Sequence, residues 1–234
     1  MIRTILWDVD GTLLDFKAAE SAAIKTCFRT FGIGECSDAM VARYSRLNDS
    51  YWKRLETGEL TKAQVLRGRF VEFFAAEGIG FDRVDEFNAA YQVCLGDTIC
   101  YMDDSPAILA GLRGRARQYA VTNGTITAQE RKLKNSGLGE LFDGVFISDR
   151  VGFEKPSAGY FERVFEAIGP VEKRETLIVG DSLTSDIRGG NNAGIVTCWY
   201  NPAGGPNDLG VRVDCEIRDL HEVGALLDKD WETP

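Results

Sequence analysis

The sequence predicts an α/β fold, a Rossmann-like parallel sheet with helices on both faces, into which a helical bundle is inserted. Two observations predict it. Short apolar runs, typical of buried parallel strands, alternate with amphipathic segments of helix length in the second half of the chain. The first run is separated from the second by about a hundred residues with helical patterns only, far more than a crossover connection needs.

Six apolar runs are predicted to form the strands of the sheet. The segments between most of the later runs have the length of one helix and its loops. One of them, "AQERKLKNSGL", is predicted to be a helix that ends at Gly137. Another, "SAGYFERVFEAIG", carries apolar side chains at the spacing of one helix face. The predicted strands are residues 4–8, 118–122, 145–148, 176–180, 196–199 and 213–217.

The insert between the first two strands is predicted to form a helical bundle. Three apolar stripes have helical spacing, and Thr61 with Gln64 has the spacing of a capping box. A stretch of this length usually builds its own core. We therefore assign residues 1–15 and 101–234 to the sheet domain and 16–100 to a separate helical domain. The alternative is that these helices belong to the layer that covers the sheet.

Composition and charge exclude several classes of function. The formal net charge is −9, which argues against a nucleic-acid polymer as partner. No apolar run approaches the ~20 residues of a membrane helix. The N-terminus lacks the apolar region of a signal peptide, so we expect a cytoplasmic protein. The cysteines form no CxxC pair and His221 is the one histidine, which disfavours a zinc site and a Ser-His-Asp triad.

Polar residues follow four of the predicted strands or lie in the loop behind them. In open α/β sheets, ligands bind beyond the carboxyl ends of the strands. Because parallel strands end at the same edge, we expect these residues to meet there. They are Asp8 and Asp10 after the first strand, Thr122, Asn123 and Gly124 after the second, Lys155 behind the third, and Asp181, Ser182 and Asp186 after the fourth.

This set of side chains suits phosphate chemistry. Several carboxylates placed together repel one another unless a cation lies among them, and oxygen ligands select a hard ion such as Mg²⁺. Lys155 and the Thr122 hydroxyl then suit phosphate oxygens. One carboxylate can attack phosphorus as a nucleophile, and the second, two residues on, can protonate the leaving oxygen and later activate water.

Four segments, "DVDGT", "TNG", "GFEKP" and "GDSLTSD", occur in this order and resemble the four motifs of the haloacid dehalogenase superfamily of phosphohydrolases. The resemblance covers essentially the whole chain, and it identifies the helical insert with the family's cap domain, so that the sheet domain is the catalytic core. It implies a phosphatase that uses Mg²⁺ and an aspartyl-phosphate intermediate.

The resemblance also implies a role for each matching residue. Asp8 is the nucleophile, Asp10 the general acid and base, and Thr122 and Lys155 bind the phosphate beside them. Asn123 and Gly124 contribute to substrate binding. The metal ligands are the Asp8 side chain, the Asp10 backbone carbonyl and Asp181, with Asp186 as a further ligand or, like Ser182, as support behind the ligands.

A closer resemblance concerns the substrate. "RLNDSYWKRLETGELTKAQVLRGRF" and "NAGIVTCWYN" look like the bacterial pyrimidine 5′-nucleotidase subgroup. In the insert, Asn48 and Trp52 share a helix face. An indole can stack on a base and an amide can hydrogen-bond its edge. The alternative is that Trp52 packs in the core of the insert and Asn48 lies at the surface.

Other functions remain open from the sequence. Haloacid dehalogenases resemble this fold but lack the carboxylates of the magnesium site, so the presence of Asp10, Asp181 and Asp186 speaks against that activity. A phosphatase or phosphomutase acting on small sugar phosphates is one alternative. A non-catalytic regulatory or binding protein on the same fold is another, although the intact set of motif residues argues against it. We expect a small phosphorylated metabolite as partner, no membrane, and a monomer or homodimer.

Overall fold

The computed structural model describes residues 1–231 and contains a six-stranded, fully parallel sheet. Its strand order is β3-β2-β1-β4-β5-β6, so β1 lies between β2 and β4. The strands are β1 (Thr4–Trp7), β2 (Arg117–Thr122), β3 (Gly144–Ile147), β4 (Thr176–Gly180), β5 (Val196–Tyr200) and β6 (Cys215–Ile217).

The predicted last strand is shorter than expected, since it begins at Cys215 and not at residue 213. The reason is the side chain of Asp214. One of its oxygens accepts the Thr197 N–H at 2.9 Å and the Thr197 hydroxyl at 3.0 Å. This carboxylate takes the place of a strand partner, and backbone pairing starts one residue later.

Helices cover both faces of the sheet, as predicted. Alternate residues of β1 point to opposite sides: Ile5 and Trp7 pack in one hydrophobic cluster and Leu6 in another. The first cluster is closed by Leu112 and the second by Phe161. The helices of this part are α5 (Ser105–Leu112), α6 (Ile126–Asn135), α7 (Ser148–Val151), α8 (Ala158–Ile168), α9 (Arg188–Ala193) and α10 (Val223–Leu226), with a π-helical turn at Leu183–Ile187 and 3₁₀ turns at Leu138–Leu141, Lys173–Glu175 and Leu220–Glu222.

The insert consists of four helices around an aromatic core of their own. Tyr44 stacks on Phe70 with ring centroids 5.2 Å apart, and Phe70 meets Phe87 edge-on at 5.0 Å. The predicted capping box of Thr61 and Gln64 is present. The division at residues 15/16 and 100/101 stays a prediction, but these contacts agree with it. The helices are α1 (Phe16–Phe31), α2 (Asp38–Glu56), α3 (Lys62–Ala76) and α4 (Val84–Asp97).

Two of the contacts between the insert and the sheet domain frame the ends of the strands. Helix α4 packs against α6 so closely that a Cβ at Gly96 would lie 2.4 Å from the Cβ of Arg131. At the start of α3, Lys62 Nζ donates to Ser148 Oγ at 2.7 Å and to Asp149 Oδ1 at 2.6 Å. These contacts hold the helical domain over the carboxyl edge of the sheet.

Across residues 1–231, no helix combines the length and the apolar character that crossing a bilayer requires.

Candidate active site

The residues predicted from the strand ends do meet at one edge of the sheet. β1 lies between β2 and β4, so the segments that follow these three strands are neighbours. Asp8 follows β1, Thr122 ends β2 and Asp181 follows β4. Lys155 comes from the loop behind β3 and reaches across β2 to the same place.

Lys155 is the buried cation of the site. Its side chain is 1% exposed, and its Nζ donates to Asp8 Oδ1 at 2.7 Å, Asp186 Oδ1 at 2.6 Å and the Val121 carbonyl at 2.8 Å. Burial by itself lowers the pKa of an ammonium group, but the carboxylates of Asp186 and Asp8 outweigh it and raise the pKa of Lys155 well above its usual value. Lys155 therefore stays charged at any physiological pH.

Three carboxylates crowd around the ammonium group. Asp8, Asp181 and Asp186 each place an oxygen within 4.8 Å of the other two. Burial raises the pKa of Asp8 to about 7, with Asp186 adding to the effect and Lys155 opposing it. Partial burial of the carboxyl group and the charges of Asp8 and Asp186 also raise the pKa of Asp181, although the residue as a whole is exposed to solvent. One lysine does not neutralise three carboxylates, so the site favours a further cation.

Two glycines allow these carboxylates to come so close. Gly11 has a φ of +90°, and a Cβ there would lie 2.6 Å from Asp181 Oδ2. A Cβ at Gly180 would lie 2.3 Å from the Cγ of Asp186. Between them, the Thr12 hydroxyl lies 3.2 Å from both Asp8 Oδ2 and Asp181 Oδ1. Thr12 thus joins the first motif to the fourth, a role that sequence reasoning missed.

The structure places Asp10 apart from this cluster, with its side chain turned toward α6. Gln129 Nε2 donates to Asp10 Oδ2 at 2.7 Å, and the Lys132 ammonium forms an ion pair with Asp10 Oδ1. Sequence reasoning missed Gln129 and Lys132. The sequence does contain a signal that could have identified them. Gln129 and Lys132 are polar residues, three positions apart, on the face of α6 that also carries Ala128 and Leu133, and a buried helix face is expected to be apolar.

The residues after β2 have different surroundings from those expected. Asn123 is engaged with the loop of the third motif, since its Nδ2 donates to the Lys155 carbonyl at 2.8 Å and its Oδ1 accepts the Lys155 N–H at 2.8 Å. Its side chain therefore positions Lys155 and is not free for substrate. The Thr122 hydroxyl accepts the Gly124 N–H at 3.3 Å. Gly124 leaves room for Gln129, whose Nε2 would lie 2.1 Å from a Cβ at this position.

Asp186 and Ser182 support the site from behind. Asp186 is 1% exposed and holds Lys155 with one oxygen and the Ser182 N–H, at 3.1 Å, with the other. The Ser182 hydroxyl accepts the Ser185 N–H at 3.2 Å at the start of the π-helical turn. The arrangement agrees with the supporting role predicted for both residues, which stays a prediction.

A cavity of about 570 Å³ opens above the strand ends, between the sheet domain and the helical domain. Its floor includes Asp10 and Asp181, its walls carry aromatic and apolar side chains from both domains, and two lysines lie on the side of the helical domain. A cavity of this size is in the range that holds a small metabolite. The wall residues include Phe16, Lys17, Asp49, Trp52, Lys53 and Glu56 from the helical domain and Met102, Trp199 and Leu209 from the sheet domain.

Of the two residues predicted to contact a base, the structure brings only Trp52 to the cavity. Asn48 is fully buried: its Nδ2 donates to Glu20 Oε1 at 2.8 Å, and its Oδ1 accepts from Arg69 Nη1 at 2.6 Å and from Trp52 Nε1 at 3.1 Å. This geometry does not favour the predicted contact between Asn48 and a base. Asn48 holds the indole of Trp52 in place.

Glu56 is a further carboxylate that sequence reasoning missed. It lies at the end of α2, where its Oε2 is buried without a hydrogen-bond partner among residues 1–231. Burial raises the pKa of Glu56 to about 7, and the Thr184 hydroxyl beside it reduces the effect. The helical domain therefore brings an acidic group of raised pKa to the wall of the cavity.

The family model of the haloacid dehalogenase-like hydrolases matches residues 2–194 of the chain. The HAD-hydrolase YfnB of Bacillus subtilis is 37% identical, with 96% of this chain and 95% of YfnB covered. Its magnesium-bound crystal structure superposes with a TM-score of 0.91 over 97% of this chain and 99% of that one.

Two further relatives are pyrimidine 5′-nucleotidases by name. PynA of Streptococcus pneumoniae is 35% identical over 97% of this chain and 96% of its own. YjjG of Escherichia coli is 29% identical over 96% of this chain and 97% of its own. The residues at the strand ends, the fold and the match to the family model agree, and the chain belongs to the haloacid dehalogenase-like hydrolases.

Proposed function

We propose that the protein is a magnesium-dependent phosphatase that works through an aspartyl phosphate on Asp8 and acts on pyrimidine nucleoside 5′-monophosphates. The observation that carries the proposal is the cluster at the end of β1, where the buried Asp8 is held by Lys155 and crowded by Asp186 and by the solvent-exposed Asp181. This cluster combines a nucleophile, a fixed positive charge and oxygen ligands at the floor of a cavity.

The donor set fits a magnesium ion. Asp8 and Asp181 offer carboxylate oxygens that repel each other as they stand, and the raised pKa of Asp181 is one consequence. The Asp10 backbone carbonyl is the third predicted ligand. A hard divalent cation prefers such oxygens and also binds phosphate. When bound, it supplies positive charge that keeps these carboxylates ionised and neutralises the substrate phosphate.

The residues divide the chemistry between them. An Asp8 oxygen attacks phosphorus, the bond from phosphorus to the leaving oxygen breaks, and Asp10 gives its proton to that oxygen. Asp10 then takes a proton from water, the water oxygen attacks phosphorus, and the bond to Asp8 breaks, releasing inorganic phosphate. Lys155 holds Asp8 throughout, and Thr122 is proposed to bind a phosphate oxygen.

The leaving group lies in the cavity under the helical domain. Phe16 and Trp52 on one wall and Trp199 on the other offer flat surfaces for a base. The pyrimidine 5′-nucleotidases PynA and YjjG, which match nearly the whole chain, support this substrate class. The limited volume of the cavity and the net charge of −9 disfavour a polynucleotide. A cytoplasmic location and a monomer or homodimer remain predictions.

A substrate panel tests the proposal. We expect hydrolysis of pyrimidine nucleoside 5′-monophosphates to exceed that of purine nucleotides and sugar phosphates, with magnesium required and chelator abolishing turnover. Better turnover of sugar phosphates would favour the sugar-phosphate alternative, and no turnover at all would favour a binding protein.

A variant of the cavity wall tests the stacking contact. Trp52→Ala should lower kcat/KM for the nucleotide by an amount that corresponds to the ~1–3 kcal/mol of stacking, and much less for a simple aryl phosphate.

A further inference from the structure

Asp10 is held by two buried donors on one face of α6. Lys132 and Gln129 are each 1% exposed, and each donates to a different oxygen of the Asp10 carboxylate. The Lys132 ammonium also lies 5.2 Å from the centre of the Phe16 ring. Among residues 1–231, Asp10 is the one carboxylate paired with Lys132, so the buried ammonium depends on it for compensation.

Two donors on two oxygens fix the orientation of the carboxylate. A carboxyl group has about four hydrogen-bonding sites, so with one donor on each oxygen a site remains that can carry the proton given to the leaving oxygen. One donor alone would let the group rotate about its bond to Cβ. With Lys132 on Oδ1 and Gln129 on Oδ2, rotation breaks a charged hydrogen bond in a buried setting, where such bonds are strong.

The surroundings of Gln129 show that this arrangement is tightly constrained. Its amide packs against the backbone of Gly124, where a Cβ would lie 2.1 Å from Nε2. Gly124 belongs to the second motif, which follows the strand next to β1. The second motif thereby sets the position of the donor that holds Asp10.

We propose that Lys132 and Gln129 are positioning residues that hold Asp10 in line for proton transfer to the leaving oxygen. The inference rests on the phosphatase activity proposed above and deepens it. Lys132 and Gln129 act through Asp10 and touch neither phosphorus nor the nucleophile. The competing explanation is that the ion pair only fastens α6 to the loop after β1.

The dependence on the leaving group separates the two explanations. A nucleoside alkoxide leaves poorly and needs the proton of Asp10, whereas 4-nitrophenolate leaves without one. The quantity to compare is kcat/KM, because it reports the steps up to departure of the leaving group. Lys132→Met and Gln129→Met should each lower kcat/KM for the nucleotide by ~10²-fold, the lower range for general acid catalysis, and for 4-nitrophenyl phosphate by less than ~5-fold.

The controls use the same helix. Lys134→Met removes an exposed lysine of α6 and should change neither substrate, and Lys132→Arg, which keeps a donor on Asp10, should recover most of the nucleotide activity. Equal losses on both substrates, or no loss on the nucleotide, would overturn the positioning role. The activity of the wild-type protein distinguishes failure of the positioning role from failure of the proposed function. If the wild-type protein hydrolyses neither ester, the phosphatase proposal itself is wrong. Gln129→Met changes no charge and provides the test if Lys132→Met does not fold.

Discussion

At the scale of single residues, the site depends on how buried charges are compensated. Asp8 and Asp186 share one ammonium group, that of Lys155, and Asp10 has its own, that of Lys132. Burying a carboxylate without a partner is costly, and breaking a buried pair leaves the other charge exposed to that cost. The proposed nucleophile and the proposed proton-transfer group are therefore each paired with a lysine of their own.

The first prediction concerns Asp8. Asp8→Asn keeps the shape of the side chain, leaves Lys155 paired with Asp186 and removes the attacking oxygen. We expect a folded protein whose kcat on an aryl phosphate falls by ~10⁴-fold or more, as for other nucleophiles. Unfolding by circular dichroism and steady-state kinetics measure the two effects. Asp38→Asn, at the exposed start of α2, is the control, and substantial activity in Asp8→Asn would exclude the assignment.

The second prediction concerns Glu56 and pH. Its pKa is raised to about 7 in the folded protein from an ordinary value of 4.5. The folded state thus binds more protons between these values, and this group lowers the free energy of unfolding as the pH rises from 4.5 to 7. In the presence of chelator, Glu56→Gln should abolish this decrease. The free energy of unfolding of the variant, relative to wild type, should therefore rise by up to ~3 kcal/mol between pH 4.5 and pH 7.

Denaturant unfolding at several pH values measures the gain at position 56. Glu59→Gln, which changes an exposed carboxylate beside Arg54, should leave the pH dependence as it is. A constant difference between wild type and Glu56→Gln at every pH would mean that Glu56 ionises normally.

At the scale of elements, the start of α3 joins the two domains. Lys62 is 12% exposed and pairs with Asp149 at 2.6 Å and Glu154 at 3.3 Å, both in the sheet domain. Asp149 also accepts the N–H of Ile126 at the start of α6. The contact therefore connects the helical domain to the segment that carries Gln129 and Lys132.

The third prediction is that this contact helps to hold the helical domain over the cavity. Lys62→Met should raise KM for the nucleotide several-fold with little change in thermal stability, because closure of the helical domain orders the site around the leaving group. Arg67→Met, which removes an ion pair with Asp85 inside the helical domain, is the matched control. An unchanged KM in Lys62→Met would show that the contact does not influence closure.

At the scale of the whole molecule, the carboxylates of the site oppose folding when no cation is bound. They come from segments that are distant in sequence, after β1 and β4, and folding brings them together against their repulsion. Anything that binds the folded site alone stabilises the fold.

The fourth prediction follows from this linkage. Magnesium at about a hundred times its dissociation constant should stabilise the protein by ~2.7 kcal/mol, or roughly 5–10 °C in Tm for a chain of this length. Scanning calorimetry with magnesium, with chelator and with sodium chloride of equal ionic strength measures it. Asp181→Asn should lose the magnesium shift while its Tm in chelator stays equal or rises. A wild-type Tm that ignores magnesium would contradict the metal site.

The sequence by itself determined the strands, the helical insert and the motif residues at the strand ends. Buried parallel strands carry apolar runs whatever their neighbours are, and parallel strands bring their carboxyl ends to one edge, so local pattern was sufficient for Asp8, Lys155 and Asp181. Only the tertiary structure decided the partners of Asp10, the burial of Asn48 and the position of Glu56. Gln129 and Lys132 lie more than a hundred residues from Asp10, and the angle at which helices pack sets which side chains meet. That angle depends on the whole packed core, which no local stretch of sequence encodes.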